Sequence, residues 1–112
     1  MSTVNQVQLV APVLLVGSDT AEYTVPTLTS AKIGRAVFCN TSASATTITA
    51  GISTGGALTA ATTMISARSI APGESYVSPE LAGAVLPPGS AIRAFAGTAS
   101  VVSFTASGLT IV

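Results

Sequence analysis

Acid–base chemistry in this 112-residue chain would rest on four basic and four acidic side chains, because histidine is absent and cysteine occurs once. The commonest general base and metal ligand is therefore missing. Serine and threonine hydroxyls are plentiful, but a hydroxyl needs a neighbouring base to become a nucleophile. Lys32 is the one side chain that could serve, and nothing in the sequence fixes it beside a hydroxyl. Glu74 and Glu80 come nearest to a carboxylate pair. Glu74 closes an Ala71-Pro72-Gly73-Glu74 turn, and Glu80 follows Ser78-Pro79 at a helix start, where capping accounts for it. Asp19 and Glu22 lack the alternating acids of a calcium loop and read as turn and strand-edge charges. The Gly51 to Gly56 stretch, GISTGG, has no phosphate-gripping lysine and reads as a plain loop. Cys39 alone makes neither an intrachain disulfide nor a cysteine zinc site, and reads as a small buried hydrophobe in a strand. The expectation is no enzyme, no catalytic residue, no metal ligand and no cofactor.

Binding chemistry is equally constrained. Nucleic acid requires clustered cations. Here Lys32, Arg35, Arg68 and Arg93 are scattered, offset by four acids to zero net charge, so nucleic acid is not an expected partner. Mean hydropathy is high at +0.69. Yet the longest apolar run, Leu9 to Gly17, is interrupted by Pro12 and falls well short of the roughly 20 residues of a spanning helix, so no membrane is expected. No cation precedes Lys32, which argues against a signal peptide. Sugar platforms use aromatic faces, and aromatics are 4% of the chain; Phe38, Phe95 and Phe104 fall in strands and read as core. Thr46, Thr47 and Thr49 make one short cluster rather than the regular rows of an ice-binding surface.

The elements that would position these residues are strands. Val, Ile and Thr dominate, and Gly and Pro punctuate at short intervals, the pattern of a sandwich or barrel. Val4 to Val16 alternates so that Val7, Leu9, Ala11, Val13 and Leu15 share one face, with Pro12 confining the segment to an edge or a break. Glu22 to Thr27 reads as a second strand with Tyr23 and Val25 inward. Lys32 to Asn40 carries apolar residues on both faces, which suits a strand covered on both sides. Asn40 to Ala45 is a polar turn into Thr46 to Ile52, the best hairpin in the chain. A strand from about Met64 to Ile70 precedes the Pro72-Gly73 turn, which has the chemistry of type II. Ser78-Pro79-Glu80 opens one or two turns of helix before Pro87. Ala91 to Ala96 and Ala99 to Ala106 pair across Gly97-Thr98, and Gly108 breaks the last strand. The fold class is thus all-β: a compact antiparallel β-sandwich, immunoglobulin-like or jelly-roll-like, with at most one short helix near Pro79–Leu86. Residues 1–16 form an N-terminal extended arm or edge strand, and 17–112 a single sandwich domain.

The segment ISARSIAPGESYVSPELAGAVL at Ile65 to Leu86, followed by PPGSAIRAFAG, resembles a group of small tailed-bacteriophage and prophage proteins of about this length. Further matching elements are Tyr23-Thr24-Val25-Pro26, Asn40-Thr41-Ser42-Ala43, Ser66 to Glu74, Pro79 to Gly83 and the turn at Pro88. The resemblance covers most of the chain, but its motifs are turn chemistry, and this chain is poorer in charge than the pattern. It implies a β-sandwich with a virion structural role. Composition points the same way: at 7% charged residues, where about 25% is usual, much of the surface must be Ser, Thr, Ala and aliphatic. Such a surface makes sense when neighbours bury it. The reading is a capsid decoration, or cement, protein outside the head shell. The alternatives are a neck, tail or fibre component, or a carbohydrate-binding or adhesion module. Expected partners are the major capsid protein or other virion proteins and copies of the chain itself, in a virion assembled in the bacterial host cytoplasm. Val7, Leu9, Val13 and Leu15 are the candidate assembly contacts.

Overall fold

The computed structural model describes residues 3–112. Among them run nine strands: β1 (Val4–Leu14), β2 (Thr20–Thr24), β3 (Ser30–Asn40), β4 (Thr46–Ser53), β5 (Thr63–Ile70), β6 (Ser75–Val77), β7 (Val85–Leu86), β8 (Ala91–Ala96) and β9 (Val102–Ile111). They form two antiparallel sheets, one ordered β1-β9-β3-β6 with β7 also on β3, the other β2-β8-β4-β5. The pairing is nested. β1 takes β9, β2 takes β8, β3 takes β6 and β7, β4 takes β5, and successive nested pairs alternate between sheets. That is a β-sandwich of the jelly-roll kind.

Nesting overturns both expected hairpins. β3 and β4 lie in opposite sheets, as do β8 and β9, so the turns at 40–45 and 97–98 carry the chain from one sheet to the other. Asn40 makes the first crossing possible. It is fully buried, and its amide donates to the carbonyls of Ser44 (2.8 Å) and Ile70 (3.1 Å). Its Oδ1 accepts from the backbone N–H (3.0 Å) and hydroxyl (2.8 Å) of Ser42. One side chain thereby satisfies backbone groups that a ladder would otherwise serve. At the second crossing the Thr47 carbonyl and the Thr46 hydroxyl accept the N–H groups of Gly97 and Thr98.

Strand parity is also reset by bulges. In β3, Ile33 is buried, Gly34 and Arg35 are both exposed, and Ala36, Phe38 and Asn40 are buried. The register with β9 shifts at this point. Both sequence parities are apolar because the inner face changes parity, not because the strand is covered on both sides. β9 runs through Gly108 unbroken. A Cβ there would lie 1.9 Å from the Lys32 carbonyl oxygen, so glycine is required by close backbone approach rather than by chain termination. β4 likewise runs on through Gly51 to Ser53.

The core lies between the sheets. Phe38 and Phe104 stack with ring centroids 4.5 Å apart, surrounded by Leu15, Ile33, Ile48, Ile70, Leu81, Leu86 and Ile92. Phe95, expected in the core, is half-buried on the strand face opposite Ile92 and Ala94. The Pro72-Gly73 turn forms as its chemistry requires, with Gly73 at φ +73° and Glu74 N–H donating to the Ala71 carbonyl at 3.0 Å. The 79–86 segment starts as a helix would, the Ser78 hydroxyl accepting the Leu81 N–H at 3.1 Å. It turns once and stops. Gly83 takes φ +82° and donates its N–H to the Ile33 carbonyl, which redirects the chain into β7 against β3.

Candidate interaction surface

Most charges are satisfied within the chain. Arg93 Nε lies 2.8 Å from Asp19 Oδ1, the one ion pair among the described residues. Asp19 Oδ2 accepts the Leu58 N–H at 2.7 Å, which holds the 54–62 loop against the domain. Burial pulls the Asp19 carboxyl upward, but the Leu58 amide and the Arg93 guanidinium outweigh it and leave it below its ordinary value. The Arg68 guanidinium sits 4.1 Å from the centre of the Tyr76 ring, and the Tyr76 hydroxyl donates to Glu80. That hydrogen bond holds the Glu80 carboxyl low, and burial together with Glu80 pushes the Tyr76 phenol up. Glu74 accepts the Ala71 N–H at 2.7 Å and locks its turn. Burial raises the Glu22 carboxyl. The two remaining cations, Lys32 and Arg35, are exposed on β3. The Thr46 and Thr49 hydroxyls accept backbone N–H groups, so that cluster is internal wiring.

β1 does not present its alternating residues on one face. Its register with β9 shifts between Gln8 and Val10 and again between Val10 and Val13. Leu9 and Leu15 are buried in the domain's own core, and Val7 packs against it half-buried. Val13 is exposed in part, and Ala11 is exposed. Leu9 and Leu15 are therefore core residues, not available contacts. The strand is the edge of its sheet, bonded to β9 of the same chain. Residues 1–2 of the expected arm lie outside the described residues.

A different apolar surface is present at one end of the sandwich. Leu28, in the β2–β3 loop, is 89% exposed; Val85 is 65%, Val112 60% and Val4 58% exposed. Register sets Val4, Ile111 and Ser30 in one row at this end, with Val112 the next residue after β9 and Val85 two residues further along, across β3. Val4 and Ser30 flank Ile111, Lys32 flanks Val85, and Thr3 pairs with Val112. Leu28 is two residues before Ser30. Leu28 also has φ +62°, a left-handed conformation that costs a leucine about 1–2 kcal/mol. Turn formation alone would be served better there by Gly or Asn. The sequence signal was small: one leucine between Thr27 and Thr29, just after Pro26.

Beside this end, the outer face of the five-stranded sheet carries Gln6, Gln8, Ser107 and Leu109 around a shallow concavity of about 470 Å³. Gly34 and Gly108 line it at the bulge between β3 and β9.

No protein-family model and no curated protein matches the sequence. Solved structures are similar in fold. The infectious bursal disease virus VP2 subviral particle superposes with TM-score 0.53 at 18% identity, over 98% of this chain and 32% of that one. The Gx strain of the same virus gives 0.54 at 16%, over 99% and 31%. The IBDV viral particle gives 0.51 at 13%, over 98% and 30%. The chain spans about a third of the length of these chains, and the likeness is one of fold.

Proposed function

We propose that this chain is a virion structural protein of a tailed bacteriophage or prophage, a decoration protein that binds the outside of the head shell through its apolar end. Its partners on this reading are the major capsid protein and copies of itself, and its place is the virion assembled in the bacterial host. No catalytic step is assigned to it. The solved structures of similar fold, described as viral particles, support a virion role, and the sequence resemblance supports the phage assignment. The observation that carries the reading is Leu28, an exposed leucine held in a costly backbone conformation at an end of the sandwich that also exposes Val4, Val85 and Val112. Strain of this kind is concentrated at functional sites.

The test is Leu28→Asn. Asn adopts the left-handed conformation more readily, so the isolated domain should melt at the same temperature or slightly higher. Loss of a buried leucine contact of about 2 kcal/mol should weaken sedimentation with particles lacking the protein by roughly 30-fold. A variant that binds particles as tightly as the parent removes the apolar end from the account.

A further inference from the structure

The two open sheets have four edges, and three are blunted in ways that prevent strand addition. β2 has five residues and a register shift at Glu22. β5 bulges twice against β4 and carries Arg68. β6 and β7 are three and two residues long. β1 is protected only after Gln8, where the register shifts and Pro12 begin. From Val4 to Gln8 it is straight, in unbroken register with Ile111 to Ser107, and free of charge and proline.

The hydrogen-bond parity of this half-strand can be read directly. Thr3 and Val112 exchange both backbone bonds, at 3.0 and 2.9 Å. In an antiparallel ladder bonded and non-bonded pairs alternate. Asn5 and Val7 therefore bond inward to β9, while the N–H and C=O groups of Val4, Gln6 and Gln8 face the open edge.

We propose that Val4–Gln8 is a self-pairing edge, through which two copies of this chain join antiparallel about a two-fold axis at Gln6. The axis sets Gln6 against Gln6 of the partner subunit, and Val4 against Gln8 of the partner subunit. Each of these rungs brings outward-facing groups together, so the three outward residues of one copy meet the three of the other. The occupant is a second copy because β1 meets its own requirements in this register: no charge opposes itself. Self-pairing of β2 or β5 would bring Glu22 or Arg68 close to its own copy. The five-stranded sheet becomes continuous across the pair. This pairing does not depend on particle binding.

The experiment is sedimentation equilibrium of the full chain from about 10 μM to 1 mM. The parent chain should move from 11.0 kDa toward twice that mass. Gln6→Pro removes an N–H that β9 does not use, and proline is tolerated on an edge strand facing solvent. It should leave the circular dichroism unchanged and weaken pairing by roughly tenfold or more. Gln6→Lys should also weaken pairing, with recovery at high salt as the facing ammonium groups are screened. A parent chain that stays monomeric throughout, including one that pairs only with another protein, overturns the proposal. So does a pairing that neither Gln6 variant weakens.

Discussion

Replacing Asn40 by alanine should cost more stability than any surface change in this protein. The side chain makes four hydrogen bonds: two donated to the carbonyls of Ser44 and Ile70, and two accepted from Ser42. The bond to Ile70 is buried, so its loss leaves a carbonyl without water at a cost of about 1–3 kcal/mol. The other three are part-buried and contribute roughly 0.5–1 kcal/mol each. The total is about 2.5–6 kcal/mol. With an unfolding entropy of about 2.1 cal/mol/K per residue, a 112-residue domain should melt roughly 11–25 °C lower. Asn40→Asp sharpens the test. It sets a carboxylate oxygen against two carbonyls, so the folded state should raise that pKa above the unfolded value of about 3.9. Its stability should then be greatest below about pH 4 and fall as pH rises toward the folded pKa. Thermal melts by circular dichroism across pH measure both variants. A drop of less than about 5 °C for Asn40→Ala, or an Asn40→Asp variant as stable as the parent at neutral pH, would refute the reasoning.

Gly108→Ala should destabilise the domain by about 2–4 kcal/mol, because its Cβ would lie 1.9 Å from a backbone oxygen that cannot move alone. Gly34→Ala across the same bulge meets nothing nearer than 3.4 Å and should cost less than about 1 kcal/mol, and denaturant midpoints equal in the two variants would contradict the register. Asp19 has a folded pKa below its ordinary 3.8, so its contribution is present above that pH and lost as pH falls through the folded pKa; acid titration of Asp19→Asn should show a shallower loss than the parent. Particle binding should change little between about 50 mM and 0.5 M salt, since Lys32 and Arg35 are the only cations left without a partner among the described residues. A steep salt dependence would move the contact from the apolar end to those two residues.

Turn chemistry was legible in the sequence, and strand pairing was not. Pro72-Gly73, Ser78-Pro79 and Pro88-Gly89 each bend the chain where their conformational preferences require, with Gly73 and Gly89 at positive φ. A turn, however, says only that the chain reverses. Whether it reverses within a sheet or crosses to the other depends on partners far away, and for the 40–45 turn it depends on Ile70, thirty residues on. The buried face of β1 is hidden in the sequence for a related reason. Leu9 and Val10 are both apolar, so a bulge that buries both leaves no trace in the alternation. The candidate contacts chosen by parity therefore included two core residues, while Leu28 and Val85, outside the long apolar runs, carry the exposed surface. The scarcity of charge, by contrast, was fully readable, and the structure shows where the few charges go.

The most direct test of the proposed role is the copy number of this chain, by quantitative mass spectrometry against the major capsid protein, in virus particles purified from the source that carries its gene. A decoration protein should be present in hundreds of copies. About six or twelve copies would place it at the neck, and none would contradict a virion role altogether.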